Sequence, residues 1–240
     1  MSFTIITGFS LNKKLKKVNE VNNSYKSFAL LELYTSEGCS SCPSADVLLP
    51  QLAAIDSNVI TLSFHVDYWN RLGWNDKFSS SEFTERQRQY GDQLHLESIY
   101  TPQLIINGQY ELVGSDRSKA ETDIRNSLKE KASVQLLIGE VKKEDDKLKI
   151  SCNAIGDLKN QNIFAALIQK HAETNVRGGE NSGRKLSHTN IVRSFIKKPA
   201  QQKNDFEISL PNDIAENNWS IVLFTQNKKD LKVTGVTKYQ

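Results

Sequence analysis

The 240-residue sequence predicts an α/β domain followed by an all-β sandwich domain, and three observations carry that reading. A helical apolar spacing lies between two strand-like runs near the start of the chain. An Asn-Gly pair joins two further strands after Pro102. From Val134 onward, short strand-like runs recur with polar turns between them. The expected boundaries are a loose leader at 1–27, an α/β domain at 28–131 and a β-sandwich domain at 132–240.

The leader is mildly apolar at 3–9 and rich in Lys and Asn at 10–27, with no small-x-small cleavage site before Ala29, so no secretory signal is visible. Residues 28–34 (FALLELY) form an apolar run that fits a buried strand, and Thr35-Ser36-Glu37-Gly38 reads as a loop. From Cys39 the period changes. Ala45, Leu48, Leu49 and Leu52 fall on one helical face, with Pro43 suited to the first turn and Pro50 expected to kink or shorten the helix. Residues 59–66 (VITLSFHV) are rich in β-branched side chains and predict a second strand, parallel to the first across a right-handed helical crossover.

An aromatic-rich insertion at 67–78 leads to Ser79–Ser81, which can cap a helix directing Phe83, Tyr90 and Leu94 inward. Residues 103–106 and 110–113 flank Asn107-Gly108, a type I′ hairpin signal, and Asp116 can cap a helix with Ala120, Ile124 and Leu128 on one face. The expected order is β-α-β-α-β-β-α. The C-terminal strands are expected at 134–142, 147–154, 162–170, 188–196, 205–210, 219–226 and 231–237, which is a sandwich pattern. A long polar segment, 173–188, interrupts them, and it reads equally as a plain hairpin or as a loop folded over the dithiol.

Composition excludes several classes. Apolar residues at 38%, charged residues at 25%, 12 Gly and 5 Pro argue against disorder, collagen and repeat arrays. The net charge of +3 arises from scattered lysines, and the groups at 13–17 and 197–203 lack the interleaved aromatics of a nucleic-acid groove. They read as solvated surface. No apolar run reaches the roughly eighteen residues of a membrane-spanning helix. Three cysteines are too few for a disulfide scaffold, and Cys39 and Cys42 sit at a spacing that points to chemistry. Cys152, in a strand-like run, reads as a small buried hydrophobe.

A thiol attacks as its thiolate, and a position at a helix N-terminus lowers cysteine pKa through unpaired N–H groups and the helix dipole. Cys39 is therefore the expected exposed nucleophile and Cys42 the resolving thiol. The ends of two parallel strands reach one edge of a sheet, where ligands bind in open α/β folds, which places His65, Asp67, Tyr68 and Trp69 near Cys39. Glu37 is near it by sequence. The plainer readings are a structural disulfide for the cysteines, a hydrogen-bonded structural residue for His65, and packing groups for Trp69 and Trp74.

The element order, with Cys-x-x-Cys at the first helix and Thr101-Pro102 opening the hairpin, resembles the thioredoxin fold. More narrowly, LYTSEGCSSCPSAD at 33–46, FHVDYWNRLGW at 64–74, FTERQRQY at 83–90, YTPQLIING at 100–108 and GENSGRKLSH at 179–188 resemble DUF1223, a bacterial family of unassigned function. The resemblance implies a cis Thr101-Pro102 bond facing the dithiol, with the backbone of Thr101 pairing with substrate. It also singles out Glu180, Asn181, Gly183 and His188 without a role, and it implies export from the cytoplasm.

The leading expectation is a thiol-disulfide oxidoreductase acting on a protein or small-molecule thiol, with no organic cofactor and no nucleic-acid partner. One rival is a metal-binding or delivery module in which Cys39, Cys42 and His65 hold Cu(I) or Zn. The other is a non-catalytic interaction protein on the same scaffold.

Overall fold

The computed structural model describes residues 25–240, so the expected leader lies outside the described residues except for its last three. The fold is mixed α/β and largely β, with an eight-stranded mixed sheet and a second, three-stranded antiparallel sheet. Among the described residues no helix is long and apolar enough to cross a membrane.

The first strand, β1 (Ala29–Thr35), is buried along its whole length and runs parallel to β2 (Val59–His65), in register from Ala29↔Val59 to Thr35↔His65. Between them α1 (Cys42–Ala53) buries Ala45, Leu48, Leu49 and Leu52, the face its spacing predicts; Pro50 lies within it, and the helix ends at Ala53. Next, α2 (Ser81–Gln93) is capped by the Ser80 hydroxyl, which accepts from the Glu82 N–H at 3.2 Å. The hairpin of β3 (Gln103–Ile106) and β4 (Tyr110–Val113) turns through Asn107 and Gly108, whose φ angles of 50° and 68° are those an Asn-Gly type I′ turn requires. Asp116 then caps α3 (Arg117–Ser127) by accepting from the Lys119 N–H at 3.0 Å.

Seven strands follow: β5 (Val134–Glu144), β6 (Lys147–Gly156), β7 (Gln161–Asn175), β8 (Lys185–Pro199), β9 (Lys203–Ser209), β10 (Trp219–Asn227) and β11 (Val233–Tyr239). Only β5, β6 and β9 form the small sheet. The others join the N-terminal strands in the order β11-β10-β7-β8-β2-β1-β3-β4. The seam is a parallel pairing of β2 with β8 at Ser63↔Ile191.

One apolar cluster runs across that seam, from Tyr34, Phe64 and Ile105 to Phe164, Val192 and Phe224. A second lies between the small sheet and one face of β7 and β10, where Leu148, Ile150 and Phe206 meet Ala165, Leu167 and Leu223. The large sheet and its core therefore combine strands from both sides of the expected boundary at residues 131 and 132. Local periodicity shows each strand but carries no trace of a pairing between residues so far apart, which is why the seam is not visible in the sequence.

Candidate functional site

Cys39 and Cys42 are joined as a disulfide with Cα atoms 5.5 Å apart. Two expectations about Cys39 are corrected. The helix begins at Cys42, with Ser41 as its N-cap and Pro43 in its first turn, so Cys42 and not Cys39 holds the helix N-terminal position. Cys39 lies in the preceding turns, where its N–H meets the Ser36 carbonyl at 3.2 Å and its own carbonyl accepts from the Cys42 N–H at 3.3 Å. Nor is Cys39 an exposed nucleophile: it is 1% exposed and Cys42 is 0% exposed, although Ser40 and Ser41 between them face solvent. Its Sγ lies 3.3 Å from the Ser41 hydroxyl and 3.7 Å from the Thr101 carbonyl, and that carbonyl also accepts from the Ser41 hydroxyl at 3.4 Å. Ser41 spends its side chain on these contacts and makes no side-chain capping bond.

Thr101 belongs to a cis Thr101-Pro102 peptide. Its hydroxyl accepts from the Trp69 indole N–H at 2.8 Å, which ties the aromatic insertion to the same corner. Gly38 packs so closely on Trp69 that a Cβ there would stand 3.1 Å from the Trp69 Cβ.

Around the disulfide loop, the ends of β1, β2, α1 and β8 enclose five ionisable side chains, Glu37, Asp46, His65, Asp76 and His188, all buried. His65 Nδ1 is 2.7 Å from Asp76 Oδ2, which also accepts from the Glu37 N–H at 2.9 Å; Asp76 Oδ1 accepts from the Phe78 N–H at 2.9 Å. Burial raises the Asp76 carboxyl pKa, but His65 and the two amides outweigh it and hold the group below its ordinary value. His65 Nδ1 is accordingly the donor in that pair.

His188 stands between two carboxylates, with Nε2 at 3.4 Å from Glu37 Oε1 and Nδ1 at 3.4 Å from Asp46 Oδ2. Burial alone would lower its pKa; Asp46 and Glu37 outweigh burial and hold it up at about 9. The His65 and His188 rings meet edge to face at 4.8 Å, and Phe78 packs on both. Thr35 and Trp74 complete the frame: the Thr35 hydroxyl donates to Asp46 Oδ1 at 3.0 Å and the Trp74 N–H to Glu37 Oε2 at 2.7 Å. Among the described residues, Glu37 Oε1, His65 Nε2 and both ring nitrogens of His188 have no partner in hydrogen-bond geometry.

The 173–188 segment, which reads equally as a hairpin or as a loop over the dithiol, is the end of a hairpin, in which β7 and β8 leave residues 176–184 between them. Its tip reaches the disulfide loop. Glu180 Oε2 accepts from the Ser40 N–H at 2.9 Å, and Asn181 Nδ2 donates to the carbonyls of Glu37 at 2.9 Å and Cys39 at 2.7 Å. Gly183 turns away at φ +82° with open space around it.

Of the residues singled out from sequence, Glu37, His65, Trp69, Thr101, Glu180, Asn181 and His188 therefore gather around the Cys39–Cys42 loop. Asp67 goes elsewhere: its Oδ1 accepts from the Thr84 hydroxyl at 2.6 Å, which fixes it to α2. Trp74, read as a packing group, instead donates to Glu37, while Asp46, Asp76 and Arg184, whose guanidinium donates to Asn181 Oδ1, were missed. Asp46 had a signal, because it lies one helical turn after Cys42, next to Ala45 in a helix face otherwise apolar. Asp76 had none within its polar insertion. Among the described residues no group of three or more His, Cys, Asp or Glu side chains is arranged to hold a metal ion.

The profile of the DUF1223 family, described as a protein of unknown function, matches residues 30–226. No curated protein matches the sequence. Among solved structures, a structural-genomics protein of Agrobacterium tumefaciens is similar, with a TM-score of 0.66 and 26% identity over 89% of this chain and 94% of that one. HBP35 of Porphyromonas gingivalis shares the fold, with a TM-score of 0.64 and 13% identity over 90% of this chain and 75% of that one. With its profile running from β1 to β10 and through every segment of the disulfide corner, the chain belongs to the DUF1223 family.

Proposed function

We propose that the protein is a thiol-disulfide oxidoreductase whose working group is the Cys39–Cys42 pair, carried on an N-terminal unit of thioredoxin-like order. The observation that carries this reading is a disulfide closed between the turn before α1 and the first residue of that helix, with the Thr101 carbonyl 3.7 Å from its outer sulfur. A bond between residues three apart in sequence encloses almost no chain, so it adds little stability by restricting the unfolded state, and a structural role gains little from it.

In the reduced protein the Cys39 thiolate attacks one sulfur of a substrate disulfide, and the other substrate sulfur leaves as a thiolate that takes up a proton. The Cys42 thiolate then attacks the Cys39 sulfur, restoring the Cys39–Cys42 bond and releasing the second substrate thiol. The steps run equally in reverse. Cys39 is the outer partner because it sits in the turn beside the exposed Ser40 and Ser41, whereas Cys42 faces inward from α1. Exchange of a model disulfide by the reduced protein is expected to disappear in Cys39→Ser; full exchange by that variant would remove the proposal.

A further inference from the structure

An exchange-active disulfide must be reachable in line with its S–S bond, yet Cys39 is 1% exposed. Besides Asp76 on the Glu37 N–H, three hydrogen bonds that pin its loop come from the β7–β8 turn, some 140 residues away in sequence. Asn181, itself fully buried, bonds through one amide nitrogen to the carbonyls on both sides of Gly38. The orientation of that amide is fixed, because the Arg184 guanidinium donates to Asn181 Oδ1 at 2.7 Å. Glu180 takes the next N–H, that of Ser40, and the Ser40 side chain together with that N–H holds its carboxyl below the ordinary range. The backbone from Glu37 to Ser40 is thus held by two neighbouring side chains of another element.

These side chains sit on a structure suited to moving as a unit. The β7–β8 hairpin closes through Val176 N–H to the Arg184 carbonyl and Gly183 N–H to the Val176 carbonyl, both at 2.9 Å. Beyond that closure the tip turns on Gly179 at φ +69° and Gly183 at φ +82°. It presses on the insertion so tightly that a Cβ on Gly178 would lie 2.5 Å from the Gly73 carbonyl oxygen. Only Asn181 of the tip is buried, and Arg177, Glu180, Ser182, Gly183 and Arg184 are exposed. Short exposed segments with few buried groups open at a small fraction of the global unfolding free energy.

We propose that residues 178–184 form a clasp that governs access to the Cys39–Cys42 disulfide. While Asn181 and Glu180 hold the peptides flanking Cys39, its sulfur stays against Ser41 and Thr101; when they let go, the loop from Ser36 to Ser41 is free to turn that sulfur outward. The clasp deepens the exchange reading and rests on the same disulfide.

The test is the rate at which dithiothreitol reduces the disulfide in the folded, full-length protein, followed by alkylation and mass analysis. Asn181→Ala is expected to be reduced about ten- to a hundredfold faster than wild type, since it frees two carbonyls at once, and Glu180→Ala about three- to tenfold faster. The acceleration should depend weakly on added urea, because clasp opening exposes little surface. Glu180 is exposed, so Glu180→Ala keeps the test intact even where Asn181→Ala fails to fold. A wild-type rate in Glu180→Ala overturns the clasp, as does acceleration that follows global unfolding. Unchanged reduction rates alongside normal exchange would remove the clasp and leave the exchange reading; faster reduction with no exchange on any disulfide would do the opposite.

Discussion

Two buried charged networks lie in this fold, and they are built differently. In the first, Arg86 of α2 gives Nε and Nη2 to the two oxygens of Glu32 of β1, at 2.6 and 3.0 Å. Tyr90 donates its hydroxyl to Glu32 at 2.6 Å and accepts from Gln226 of β10 at 2.7 Å. The rings of Phe64, Phe164, Phe195 and Phe224 surround the guanidinium at 4.8 to 5.8 Å. Burial and the Glu32 carboxylate together raise the Tyr34 and Tyr90 pKa values well above the ordinary phenol range, so both stay neutral donors. In the second, Glu37, Asp46, His65, Asp76 and His188 are as deeply buried, but His188 meets its two carboxylates at 3.4 Å and four polar atoms lack aligned partners among the described residues. A network with every group bonded fixes a structure; one with spare donors and acceptors can take up or release a proton without breaking it. The first ties β1 and α2 to β10 across the seam of the sheet, and the second lies beside the disulfide.

Removing one partner of the closed network should have the largest effect. Arg86→Met leaves Glu32 charged and unpaired in an aromatic pocket, and denaturant unfolding is expected to show a loss of about 3–5 kcal/mol. Replacing Glu32 with Leu in the same chain should recover most of that loss. If the double variant is no better than the single one, the ion pair is not what Arg86 contributes.

The open network should announce itself through pH. His188 has a folded pKa of about 9 against an ordinary value of about 6.5, so the folded state binds its proton more tightly than the unfolded state does. Its contribution is fully present below pH ~6.5 and is lost as the pH rises through about 9. The loss is on the order of 3 kcal/mol, because each tenfold difference in proton affinity between the two states is worth about 1.4 kcal/mol. Unfolding free energies across that window should fall for the wild type and stay level for His188→Gln. A flat wild-type profile would mean that His188 is neutral between Glu37 and Asp46.

Much of this was legible in the sequence, for local reasons. The face of Ala45, Leu48, Leu49 and Leu52, the Asn107-Gly108 turn, the Asp116 cap and the seven C-terminal strands all follow from spacing and turn chemistry. The clustering of Glu37, His65 and Trp69 near the cysteines follows from the parallel ends of β1 and β2. What was hidden depends on the distant β8. Its pairing at Ser63↔Ile191 merges the strands into one sheet, and its His188 draws Asp46 and Glu37 into one cluster. The same hairpin brings Asn181 onto the Cys39 carbonyl, so the burial of Cys39 could not be read from residues 33–46 alone.

The most direct test of the central claim is the fate of glutathione on Cys42→Ser. Cys152, buried and with its thiol pKa pushed up to about 11, should stay unmodified in the folded protein. Reduced Cys42→Ser treated with oxidised glutathione is expected to accumulate one stable mixed disulfide mapped to Cys39, while wild type clears the same adduct by closing its own disulfide. A folded Cys42→Ser that takes up no glutathione, while the unfolded chain is modified fully, would contradict the account.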